Sequence, residues 1–166
     1  MKTQFTLLLA TIASLSSVTA QEIVGEFTNI EKYTDFSVSG LSEEKTLSIF
    51  ESEFEDEMKS VAKKYLKEGE VLTITFTDID MAGDIQPWRN RHNADIRYIE
   101  SIYLPRLKIT YVLKNAAGEV VAEGEESLSD LSYQMNSMAH MRTQYLHFFY
   151  ENDLLKNWAR KTFRNR

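Results

Sequence analysis

The feature that most constrains this chain is an apolar pattern that changes period within a few residues. Between Ser42 and Leu66, the residues Leu47, Phe50, Phe54, Met58, Val61 and Tyr65 recur at spacings of three and four, which draws one face of an α-helix. Beyond Gly69, Leu72, Ile74 and Phe76 alternate with Thr73, Thr75 and Thr77, the period of a β-strand. A helix and a strand that each carry one apolar face must bury those faces against other elements. The helix has its own boundary signals. Ser42 is a candidate N-cap, and Glu43 and Glu44 lie where the helix dipole favours negative charge. Lys63, Lys64 and Lys67 crowd the last turn, and Gly69 is placed to end it.

The remaining elements follow from the same reasoning. "IVGEFTNIEKYTDF" mixes β-branched and aromatic residues and predicts a strand and a turn. In "DIRYIESIYLPRLKITYVLKN", Pro105 divides two strand-like pieces. Leu107, Ile109, Tyr111 and Leu113 in the second piece alternate with Arg106, Lys108 and Thr110. "NAAGE" then turns into "VVAEGEESL", so residues 106–127 read as a β-hairpin. From about Gln144 the tail reads as a helix with Leu154, Leu155, Trp158 and Ala159 inside and Arg160, Lys161 and Arg164 near its C-terminus. The expected fold is α+β: a single two-layer domain over residues 21–166, with a mostly antiparallel sheet and two main helices packed on one face.

Residues 1–20 read as processing information instead of fold. Lys2 precedes an apolar run from Phe5 to Leu15, and Val18 and Ala20 occupy the small-residue positions of a signal-peptidase site. The expectation is a chain that begins at Gln21, exported to the periplasm or secreted. The run is shorter than the roughly 20 apolar residues a membrane span needs, and no later stretch approaches that length, so no membrane span is expected. The chain has no cysteine, hence no disulfide, no lipid-acceptor thiol and no thiol nucleophile. A formal charge of −6 argues against nucleic-acid binding, which favours basic patches.

The stretch "DIDMAGDIQPW", residues 78–88, sets three carboxylates around a glycine directly after a strand. Unbroken alternation would carry Asp78 and Asp80 onto the core face with Phe76, where a carboxylate has to be paired, hydrogen-bonded or metal-bound. Three partners suit it. A divalent cation is one: Asp78, Asp80 and Gly83 match positions one, three and six of a calcium loop, and Asp84 follows. Ala82 at position five and Arg89 in place of the bidentate Glu depart from that loop. An arginine is the second, with Arg97 or Arg106 favoured because a guanidinium grips a carboxylate through two hydrogen bonds. Backbone N–H groups of the turn are the third.

Two further groupings carry chemistry. Trp88 beside Arg89 and Arg91 forms either an aromatic-cationic surface for an anionic glycan or a cap on the core. Met135, Met138, His140 and Met141 offer either soft ligands for Cu(I) or a packing stripe; His92 and His147 stand alone. The elbow, zinc, phosphate-loop and dinucleotide motifs of common enzymes are absent.

The segments "EKYTDF", "LTITFTDIDMAGDIQP", "DIRYIESIYLPRLKITYVL", "EGEESLSDLSY" and "FFYENDLLKNWARKTF" resemble, in this order, the domain of unknown function 3016 family of small exported proteins of Gram-negative bacteria. The resemblance spans about Ile23 to Phe163. Its most specific element is matched by Asp78, Asp80, Ala82, Gly83 and Pro87, with Arg97, Pro105, Arg106, Asp130, Tyr133, Tyr150, Glu151 and Trp158 as further matches. Asn152 departs from the basic residue that the family pattern places after "YE", and "MNSMAHM" lies outside the pattern. The resemblance implies export and a structured Asp loop, and no activity.

These readings converge on a soluble periplasmic module of the cell envelope that binds or assists and does not catalyse. No cofactor is expected; an envelope protein or an anionic glycan is the expected partner, and the acidic first helix against a basic last helix suggests steering by charge. The candidate ligand-binding residues are Asp78, Asp80, Asp84, Trp88, Arg97 and Arg106. The alternatives are a divalent-metal module on Asp78, Asp80 and Asp84, and a carboxylate-based hydrolase.

Overall fold

A computed structural model describes residues 20–89, 95–136 and 139–166, apart from the side chains of His140 and Met141. Residues 1–19, where the signal segment is expected, lie outside the described residues, as do Arg91, His92 and Met138. Strand β1 (Glu22–Phe27) leads through a 3₁₀ turn and an extended segment into helix α1 (Glu43–Tyr65), which returns to β2 (Val71–Asp80). The short strands β3 (Asp84–Ile85) and β4 (Arg97–Tyr98) pair with each other. The hairpin β5 (Arg106–Lys114) and β6 (Val120–Ser129) follows, then the single-turn helix α2 (Ala139–Arg142) and α3 (Phe149–Phe163).

The main sheet has the order β1-β2-β5-β6. Its β2–β5 and β5–β6 pairs are antiparallel, and β1 runs parallel to β2. That parallel pair follows from the chain order, because a long helix between two neighbouring strands carries the second back to the starting end of the first. Helices α1 and α3 cover one face. Phe50, Phe54, Met58 and Val61 of α1 and Leu154, Leu155, Trp158 and Ala159 of α3 are buried in one cluster with Leu72, Ile74, Phe76, Leu107, Ile109 and Leu113 of the sheet. Phe50 is its hub, with ring centroids of Phe27, Phe36, Phe54, Phe76 and Phe148 at 4.8–6.2 Å. Ser42 caps α1 as its sequence predicts, its side chain accepting from Lys45 N–H.

Three local expectations are corrected. First, β2 does not alternate to its end. Its pairing with β5 passes from Phe76↔Ile109 to Asp78↔Lys108 and leaves Thr77 without a partner. This bulge shifts the side-chain parity, so Ile79 enters the core fully buried while Asp78 and Asp80 turn to the opposite, uncovered face. Second, of the piece before Pro105 only Arg97–Tyr98 is a strand, because β5 already occupies the edge of β2 down to Asp80↔Arg106.

Third, α3 begins at Phe149, later than its aromatic run suggests, and has no local capping side chain. The cap comes from α1: Glu53 accepts from His147 N–H at 2.8 Å and Phe148 N–H at 2.9 Å. A carboxylate there satisfies donors at the helix start and complements the dipole. Ion pairs also join the elements of the helical layer: Glu57 pairs with Arg142 at 2.5 Å and Lys156 at 2.6 Å, and Glu70 pairs with Arg166 at 2.6 Å.

Candidate functional site

The carboxylates singled out in the sequence lie on the uncovered face and are committed there. Asp78 accepts from Thr34 N–H at 2.8 Å and from Lys108 Nζ at 2.9 Å. Burial pushes this carboxyl up, but the bonds from Lys108 and Thr34 outweigh it and hold the group below the ordinary Asp value. Asp80 receives Arg106 Nη1 at 2.9 Å. There burial wins over Arg106, and repulsion from Asp35 and Asp78 adds to it, so Asp80 sits above the ordinary value.

Asp84 lies in β3 opposite Tyr98. Among the described residues no group of three or more His, Asp or Glu is placed to hold a metal ion, so the geometry does not assemble Asp78, Asp80 and Asp84 as calcium ligands. Trp88 is 71% exposed, which excludes the core-cap reading. Met135 is 86% exposed, and the side chains of Met138, His140 and Met141, on which the copper and packing readings also rest, lie outside the described residues.

The turn after β2 leads to a different place. Gly83 adopts φ +78°, and a Cβ there would lie 2.5 Å from the Tyr98 carbonyl oxygen, so only glycine lets β4 come this close. Arg97 of β4 does not hold Asp78 or Asp80. Its Nη1 and Nη2 donate to the two carboxylate oxygens of Asp35 at 2.7 and 2.9 Å, and to the carbonyls of Gly83 and Ser37 at 3.0 Å each. Asp35 itself is fixed by backbone bonds to the end of β2, donating to Ile79 O and accepting from Met81 N–H. Arg97 thereby ties the segment before α1, the turn after β2 and β4 into one wall.

That wall, α2 and the start of α3 enclose a cleft of about 590 Å³. Val38, Met81, Ala82, Ile99, Ala139 and Leu146 give it apolar sides, while Arg97, Gln134, Thr143, His147, Tyr150 and Glu151 supply polar groups. A concave, mainly apolar space of several hundred Å³ with a few converging polar groups has the dimensions of a small-molecule site. Glu151 is the sole carboxylate among the described lining residues and is only 1% exposed. Its Oε1 accepts from Ala82 N–H at 2.7 Å. Burial pushes its carboxyl up to about 7, further than the Ala82 bond and the charge of Arg97 can lower it.

Tyr133 and Tyr150 stand edge to face with centroids 4.9 Å apart. Burial first, then the neighbouring negative groups, raises both hydroxyls, that of Tyr133 to about 12. Tyr133 donates to Glu100 O at 2.8 Å and Gln134 Nε2 to Ile99 O at 3.1 Å, which locks the cleft's rim.

Of the six sequence candidates, the structure joins Arg106 to Asp80, pairs Asp78 with Lys108, places Arg97 in the cleft wall and leaves Asp84 and Trp88 outside both. Sequence reasoning from residue types missed Glu151 and Glu53. Each had a signal: a carboxylate set among apolar residues at helical spacing, Glu151 with Leu154, Leu155 and Trp158, and Glu53 with Phe50 and Phe54. His147, solitary in sequence, also lines the cleft.

The fold and cleft define a two-layer α+β domain with an open sheet face and a ligand-sized recess beside the start of α3. The model of the family described as "Protein of unknown function (DUF3016)" matches residues 22–161, and the chain belongs to that family. No curated protein matches it in sequence. Among solved structures it is similar to a minor lipoprotein from Acinetobacter baumannii, at 11% identity and a TM-score of 0.33 over 88% of this chain and 94% of that one. Likeness at that level transfers neither ligand nor role.

Proposed function

We propose that this chain is an exported binding or accessory module of the cell envelope, and that it takes its ligand in the cleft above Glu151. The observation that carries this reading is the pairing of a ligand-sized recess with one deeply buried carboxyl at its floor, since perturbed titratable groups cluster at functional sites. Export is supported by Lys2 and the apolar run that precedes Ala20. Because β1 opens at Glu22, cleavage after Ala20 would leave every described strand and helix intact. Among the described residues no helix is long and apolar enough to cross a membrane.

A second reading draws on the same carboxyl, because a group titrating near 7 suits general acid–base work. It ranks behind binding because no second carboxylate lines the recess among the described residues. NMR titration with small aliphatic and aromatic fragments tests the binding reading. Amide shifts should concentrate at Val38, Ala82, Ile99, Ala139 and Leu146 and disappear in Thr143→Trp, which fills the mouth. Shifts scattered over the surface, or unaffected by Thr143→Trp, overturn it.

A further inference from the structure

We propose that the ligand of this cleft is an amphiphile with a protonated amine head, seated on Glu151 and with its apolar body along the wall and rim. The proposal rests on the binding reading above and names the chemical class that the site selects. Charge complementarity decides the head group. Among the described residues, Arg97 is the cation whose charge bears on Glu151, and all four of its terminal N–H donors are taken by Asp35, Ser37 and Gly83. An anionic head would therefore find no free terminal donor on the guanidinium and would face a carboxyl.

The other groups that bear on Glu151 are negative or neutral. Glu53 of α1 repels it, and Tyr133 and Tyr150 feel its charge. His147 lines the cleft from the segment before α3. Glu151 has a single main-chain donor from a neighbouring element, Ala82 N–H, and burial costs its ionised form more than that bond returns. An ammonium supplies both the missing donors and the missing charge, and a charge-assisted bond of this kind is the strong kind.

The apolar surface decides the body. Val38, Met81, Ala139 and Leu146 line the recess. Apolar side chains continue on the rim segments, residues 99–103 and 131–135, which are bonded to each other through Tyr133 and Gln134. Ile102, Leu131 and Met135 are 70%, 81% and 86% exposed there. Of these segments Ile99 lines the recess itself, so an alkyl chain lying in the recess would meet it.

The test is calorimetric titration of the chain with n-octylamine, 1-octanol and octanoate, below their aggregation concentrations, at pH 6 and pH 8. Octylammonium should bind tightest, with octanol weaker and octanoate weakest. Its affinity should rise about tenfold from pH 6 to pH 8, because the competent, ionised fraction of Glu151 grows by that factor. In Glu151→Gln the preference for the amine and its pH dependence should vanish while octanol binding persists. Equal binding of the three probes, tighter octanoate, or an amine preference that survives Glu151→Gln overturns the ligand class and leaves the cleft as a binding site. Binding of none of the probes by the folded chain overturns both. If Glu151→Gln fails to fold, the pH profile of the wild-type chain decides alone.

Discussion

The outer sheet face and the cleft use carboxylates in opposite ways. Asp78 and Asp80 catch attention in the sequence, yet each has a cation within 2.9 Å on the neighbouring strand, and both serve to fasten β2 to β5. Glu151 is a single carboxylate in an aromatic run, yet it is buried beneath a recess, and Arg97, the described cation that bears on it, is spent on Asp35. A conspicuous cluster whose charges are matched is a corner of the fold. A solitary group whose charge is unmatched is where binding energy remains to be gained.

The largest expected effect comes from Arg97→Ala, which removes the tie that holds the cleft wall together. It strands Asp35 and two backbone carbonyls, and breaking a largely buried pair of this kind costs about 3 kcal/mol or more. A denaturant midpoint that moves by less than a third of that would show the cleft wall standing without Arg97.

Next comes the pH dependence of Glu151. Its folded value of about 7 lies above the unfolded value of 4.5, so the folded state binds the proton more tightly. The resulting stabilisation is complete below pH 4.5 and is lost as pH rises through 7. The shift corresponds to at most about 3 kcal/mol. Glu151→Gln should therefore match the wild type near pH 5 and exceed it at pH 8 in chemical denaturation. Parallel curves at both pH values would mean that the carboxyl is not strained by burial.

Asp80→Asn should cost about 1 kcal/mol or less at neutral pH, since its partner Arg106 is mostly exposed and half-exposed pairs contribute little. Asp78 behaves with the opposite sign to Glu151. Its folded value lies below the unfolded one, so its contribution is present above pH 3.8 and is lost as the medium is acidified through the folded value. A Lys108→Met, Asp78→Asn double-mutant cycle should return a coupling of about 0.5–1 kcal/mol at pH 7 that fades as Asp78 is protonated at acid pH.

The smallest expected effect is that of calcium. A cation bound only to the native state raises the melt by several degrees at a hundredfold excess over its dissociation constant. Millimolar calcium should leave the melting temperature unchanged. A rise that disappears in Asp80→Asn would turn the comparison round and make the Asp stretch the site.

The sequence by itself determined the periodic elements. The stripe of Phe50, Phe54, Met58 and Val61, the Ser42 cap and the 106–127 hairpin rest on local spacing and on side chains that reach their own backbone, and these survive in any context that buries the stripe. It also determined that the sheet carries two helices on one face, because each apolar face needed a partner. Only the tertiary structure decided which carboxylates were free. The bulge at Thr77 reverses the parity of two aspartates, and nothing in "TFTDID" announces it. The cap of α3 is supplied by Glu53, 95 residues away in sequence, so no local signal marks where that helix starts. The charge state of Glu151 depends on Ala82, Arg97 and Glu53, on three separate parts of the chain. Solvation and pairing energies are properties of a place in space, and only the folded chain assembles that place.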